Sequence, residues 1–118
     1  KEFIFTNTGS PHHIEMVENL DDISVIEKAR TIIDSLYSSE GCNINFVEQL
    51  NDESFKVRTY ERGVENETLA CGTGATAVAI AMHKLQKTDQ NLIHYKEYDD
   101  SLKCGDWCGL QLMNCLAR

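Results

Sequence analysis

Lys1-Glu-Phe-Ile-Phe-Thr6 is short, aromatic and β-branched, which predicts a strand over 1–6. Asn7-Thr-Gly-Ser-Pro11 reads as a turn, and Pro11 steers Ser10 away from helical backbone. His12–Val17 alternates loosely, a second strand. The period then lengthens. Ile26, Ala29, Ile33 and Leu36 recur at helical spacing behind the capping candidates Asn19, Asp21 and Asp22, predicting a helix over 22–38. Ser38-Ser-Glu-Gly41 ends it.

Alternation returns at Asn43–Glu48, a half-buried strand, and at Phe55–Tyr60, its partner across an Asn51–Ser54 hairpin turn. Glu61–Ala70 is charged and reads as a loop. From about Thr73 to Lys87, Ala, Val, Ile and Met occupy nearly every face, so a second helix is expected to be buried almost all round. Asn91–Lys96 reads as a strand; the tail, Tyr98–Arg118, has no clear period. The expected fold is one α+β domain over 1–118, with antiparallel strands wrapped around a central buried helix.

Composition narrows the partners. The chain has 118 residues, 42% hydrophobic and 25% charged, enough for a core of its own. A net charge of −8 argues against nucleic acid and anionic membrane surfaces. No apolar run approaches the ~20 residues of a membrane span. No signal peptide is read, because Lys1–Phe5 already reads as strand. Five cysteines, an odd number, favour reduced thiols and a cytoplasmic setting over a disulfide framework.

The chemistry centres on Cys71-Gly-Thr-Gly74 at the mouth of the second helix. A helix start presents unpaired N–H groups and a partial positive charge. Gly72 and Gly74 let an anion approach the backbone, and the same field favours a Cys71 thiolate. On the tetrapeptide alone, a structural cysteine with packing glycines is the better reading. The context just upstream changes that. Glu61 and Arg62 follow a strand directly: a carboxylate for an ammonium group and a bidentate fork for a carboxylate. Alone they would read as a solvated surface pair. Beside a thiol and an N–H cradle they suit an α-amino acid.

In "TGSPHH" (8–13), "CNINFVE" (42–48) and above all "RTYERGVENETLACGTGATA" (58–77), the chain resembles the diaminopimelate epimerases. The match is strongest over residues 1–90. The resemblance implies the second of two pseudo-symmetric halves, each a set of strands around a central helix, with substrate in the cleft between them. It implies isomerase chemistry on the lysine-biosynthesis route, interconverting LL- and meso-diaminopimelate with two opposed cysteines and no pyridoxal phosphate, metal or other cofactor. Catalytic roles then fall to Cys71, Glu61 and His12. Substrate binding falls to Ser10, Asn43, Glu61, Arg62, Gly72 and Thr73. The implied partners are an amino-acid substrate and the N-terminal half of the same enzyme, which would supply the opposite-face cysteine; a homodimer is compatible with this. A related racemase of the same fold, or a non-catalytic half-domain when isolated, are the rival readings.

Three features depart from the family. Ser10 stands where asparagine is usual, with shorter reach. Glu65-Asn66 stands where glycine is more usual, leaving Gly63 to serve the turn alone. The tail carries Cys104, Cys108 and Cys115 near His94, a spacing that fits zinc poorly and suits helical packing with Trp107 better. His12 and His13 should face opposite ways, one to the cleft and one to solvent. His83 reads as a packed or rim residue and Cys42 as an inert buried thiol.

Overall fold

Seven strands and two helices make up the computed structural model, which describes residues 3–51, 54–68, 72–87, 92–98 and 107–114. In chain order they are β1 (Phe3–Asn7), β2 (Pro11–Met16), α1 (Val25–Leu36), β3 (Asn43–Asn51), β4 (Ser54–Glu61), β5 (Asn66–Thr68), α2 (Gly72–Lys84), β6 (Leu92–Tyr98) and β7 (Trp107–Asn114). They form one sheet in the order β1-β2-β3-β4-β6-β7, with β5 paired to β4.

The sheet is mixed, which corrects the antiparallel expectation. β1–β2, β3–β4, β4–β5 and β6–β7 are antiparallel, while β2–β3 and β4–β6 are parallel. The reason is the connections: a helix carries the chain back across the sheet between each parallel pair, which a tight turn cannot do. β4 runs antiparallel to β2, so two right-handed crossovers stepping the same way must place their helices on opposite faces. They are found there. Ile14, Val47, Phe55 and Val57 pack with α2, whereas Ile44, Phe46 and Tyr60 pack with α1.

α2 is the more deeply buried helix. From Gly74 to Met82 only Thr76 is exposed and Ile80 half-buried. It lies against β1, β2, β3 and β7, so both ends of the strand order come to it. α1 is shorter than its apolar spacing suggests, because Leu20–Asp22 forms a separate 3-10 turn. Its buried face is also rotated: Val25 and Ala29 are buried, while Ile26 and Leu36 are exposed.

Two segments without apolar period prove to be strands. The charged loop contains β5. The chain turns back onto β4 with Gly63 at φ 94° and Glu65 at φ 60°, so Gly63 does not serve alone. Glu65 is held in the left-handed region by its own carboxylate, which accepts from the Tyr60 hydroxyl (2.9 Å) and the Gly63 N–H (3.0 Å). The tail contains β7, antiparallel to β6, so Trp107 and Cys108 lie on a strand rather than at helical spacing. Cys104 and Cys115 lie outside the described residues.

Candidate active site

β2 and β3 begin, and β4 ends, at one end of the sheet. Register places His12 beside Asn43 and Asn45 beside Thr59. Side chains alternate across a sheet, so His12, Asn43, Asn45 and Thr59 share the α2 face. α2 begins at this end too. Its C-terminal turn is pinned at the other end, where Gln49 Nε2 donates to the Lys87 carbonyl (2.8 Å).

The face carries a connected polar row. Thr59 Oγ1 donates to Asn45 Oδ1 (3.0 Å), Asn45 Nδ2 meets His12 Nδ1 (3.1 Å), and His12 Nε2 meets Ser10 Oγ (3.2 Å). Asn43 brackets its edge. Its Nδ2 donates to the Pro11 carbonyl (2.9 Å) and Ser10 Oγ (3.4 Å), and its Oδ1 accepts the Arg62 N–H (2.8 Å). Glu61 Oε1 accepts from the Thr68 hydroxyl (2.9 Å), tying β4 to β5 just ahead of α2. Burial lowers the His12 pKa below its usual 6.5, which favours the neutral ring.

Of the expected site residues, Ser10, His12, Asn43 and Glu61 are thus gathered at one end of one face. Arg62 contributes its backbone there, but its exposed side chain turns away, with Nη1 on the Glu40 carbonyl (3.3 Å). Gly72 and Thr73 form the first backbone positions of α2, whose leading N–H groups have no partner within a helix. Cys71 lies outside the described residues. Asn45 and Thr59 were not anticipated. The visible signal is the Asn-x-Asn alternation of β3, which reads as a solvent face only until a second helix covers it.

His13 does not reach solvent, contrary to expectation; it is as buried as His12, on the opposite face. Its Nδ1 pairs with the Tyr37 hydroxyl (2.7 Å) and its Nε2 with Glu15 Oε1 (3.1 Å), under a stacked Phe3 ring. Tyr37, just past the end of α1, and Phe3 of β1 supply that cover. Burial lowers the His13 pKa, opposed in part by Glu15, and raises Tyr37 to about 12. Cys42 is fully buried and its thiol is pushed up to about 12, leaving it a neutral core group. His83 is half-buried on α2, with Nε2 enclosed and lacking a hydrogen-bond partner among the described residues. Among the described residues no group of three or more His, Cys, Asp and Glu could hold a metal, and no helix is long and apolar enough to cross a membrane.

Comparison with known proteins matches residues 4–98 to the diaminopimelate epimerase family model. A relative named diaminopimelate epimerase from Flavobacterium psychrophilum is 53% identical over 92 residues, 77% of this chain and 36% of that protein. Another so named, from Aquifex aeolicus, is 49% identical over 81 residues, 68% of this chain and 29% of that protein. The chain therefore spans about a third of the length of these relatives. Among solved structures, a phenazine biosynthesis protein of the PhzF family from Enterococcus faecalis superposes with a TM-score of 0.56 at 16% identity. The superposition covers 75% of this chain and 31% of that one, a likeness of fold alone. A family model spanning most of the chain, with relatives near half identity, places the chain in the diaminopimelate epimerase family.

Proposed function

We propose that this chain forms one half of a diaminopimelate epimerase, an isomerase that inverts the stereocentre of an amino acid without pyridoxal phosphate or metal. The supporting observation is the gathering of Ser10, His12, Asn43 and Glu61 on one face, at the end of the sheet where α2 begins.

In this reading the α-carboxylate sits on the N–H groups of Gly72 and Thr73, which stabilise the charge that develops as the α-proton leaves. Cys71, as thiolate, takes that proton and becomes a thiol. The C–H electron pair stays on the carbon and spreads into the carboxylate. A thiol on the opposite face then gives its proton to the carbon, and inversion is complete. A positioned base contributes about 10²–10⁴-fold. Glu61 accepts from the α-ammonium group, Asn43 lies toward the ligand's far end, and Arg62 reaches that end once its side chain leaves the Glu40 carbonyl. The opposite thiol belongs to a first half-domain, which also completes the central-helix, pseudo-symmetric arrangement. The setting is the reducing cytoplasm.

Deuterium wash-in with the full-length protein tests this against the related racemases. LL-diaminopimelate, L-proline and L-histidine are each incubated in D2O. Exchange at the α-carbon of diaminopimelate is expected; exchange confined to another amino acid, or none, refutes it. One observation favours a second reading for the isolated chain: it spans about a third of its relatives. Alone it binds ligand without turnover, and added N-terminal half restores exchange.

A further inference from the structure

The polar row has a direction. Asn45 Nδ2 lies 3.1 Å from His12 Nδ1 and also faces the His13 carbonyl oxygen at 3.5 Å. A carbonyl only accepts, so the atom there is the amide nitrogen. Its oxygen therefore faces Thr59, whose hydroxyl donates to it. An amide nitrogen only donates, so His12 Nδ1 must present its lone pair. A neutral ring then carries its proton on Nε2 and donates to Ser10 Oγ at 3.2 Å.

Ser10 receives a second donor. The Asn43 amide is fixed in the same way, with Nδ2 on the Pro11 carbonyl and Oδ1 under the Arg62 N–H, so Nδ2 donates to Ser10 Oγ at 3.4 Å. Both lone pairs of the hydroxyl are then engaged, and its own proton must point elsewhere. His12, Asn43, Asn45 and Thr59 are each at least nine-tenths buried, whereas Ser10 is only half-buried. The open side of Ser10 is where that proton can go.

We propose that Thr59 and Asn45 are positioning residues: they lock His12 as the neutral Nε2–H tautomer, which makes Ser10 an obligate hydrogen-bond donor to an anionic group of the ligand. Hydrogen bonds aligned head to tail polarise one another, so the terminal hydroxyl is a better donor than an isolated serine. The ligand's identity rests on the epimerase reading; the tautomer lock does not.

Nitrogen-15 imidazole spectra of the full-length protein at neutral pH, without ligand, test the lock, with His12 assigned by His12→Gln. A neutral ring protonated at Nε2 is expected. A ring protonated at Nδ1, or an imidazolium, overturns the proposal with no variant required. Asn45→Asp replaces the donor with an acceptor of the same shape and should draw a proton onto Nδ1; an unchanged His12 signal counts against the lock. Steady-state kinetics test the donor role. Ser10→Ala should raise KM about tenfold, the loss of one hydrogen bond to a charged group, with kcat little changed. Ser10→Asn should restore it. An unchanged KM in Ser10→Ala overturns the donor role. A protein inactive on diaminopimelate but with Nε2–H His12 refutes the substrate and supports the lock.

Discussion

Replacing Asn45 by leucine tests the buried polar row as a structural unit. Asn45 has no solvent exposure and joins two other buried groups, His12 and Thr59. Leucine matches its size but strands the His12 Nδ1 lone pair and the Thr59 hydroxyl in a dry interior. Each stranded group costs about 1–3 kcal/mol. The extra apolar burial returns about 1 kcal/mol. The net loss is about 1–5 kcal/mol, set against the roughly 5–15 kcal/mol that holds a typical domain. Thr59→Val alone leaves Asn45 Oδ1 unpaired and costs about 1–2 kcal/mol. The double variant strands neither the threonine hydroxyl nor the Asn45 oxygen, so the two losses should fall short of additivity by about 2–5 kcal/mol. Urea unfolding of the wild type, both single variants and the double variant measures the cycle. An Asn45→Leu loss under about 0.5 kcal/mol, or additivity within that margin, would refute the reasoning.

Gly41 sits at φ 72°, and a Cβ there would meet Arg62 Cγ and Cδ at 3.3 Å; Gly41→Ala should therefore cost about 1–2 kcal/mol from backbone strain, with Arg62 displaced, read by urea midpoint against wild type. His12 and His13 are both held below the usual 6.5 by burial. The unfolded chain therefore takes up these protons first, so stability is full above about pH 6.5 and falls as pH drops toward the folded-state values. A urea midpoint that stays flat or rises on going from about pH 7.5 to about pH 5.5 contradicts this sign. Cys42, buried and raised to about 12, should resist iodoacetamide in the native protein and react in urea, as peptide mapping would show.

Much of this architecture is legible in local pattern because local pattern has a local cause. The alternation of Asn43–Glu48 and Phe55–Tyr60 follows the strand pleat, and the two strands pair as expected, closing at Asn51 and Ser54. The small apolar run after Thr73 is buried because a sheet covers it. What escapes the pattern depends on partners distant in sequence. Strand direction is set by the helical crossovers, so β2–β3 and β4–β6 are parallel although no residue announces it. β5 is held by pairing to β4 and by Glu65, not by apolar content. Asn43 and Asn45 look solvent-facing until α2 is placed over them, and His13 looks exposed until Tyr37 and Phe3 are placed against it on the other face. Of the residues gathered at the end of the sheet where α2 begins, Ser10, His12, Asn43 and Glu61 stand in distinctive motifs. Asn45 and Thr59 do not, and their hydrogen bonds run along the buried row to His12, which only the register brings together.

In the proposed function the thiol of Cys71, the residue that precedes α2 in sequence, is one of two groups that exchange the α-proton. Cys71→Ala in the full-length protein, assayed by release of tritium from α-tritiated diaminopimelate into solvent, is the most direct measurement. The account predicts loss of release down to background, with the circular dichroism spectrum and melting temperature of wild type. Release at the wild-type rate from a folded Cys71→Ala protein would contradict it.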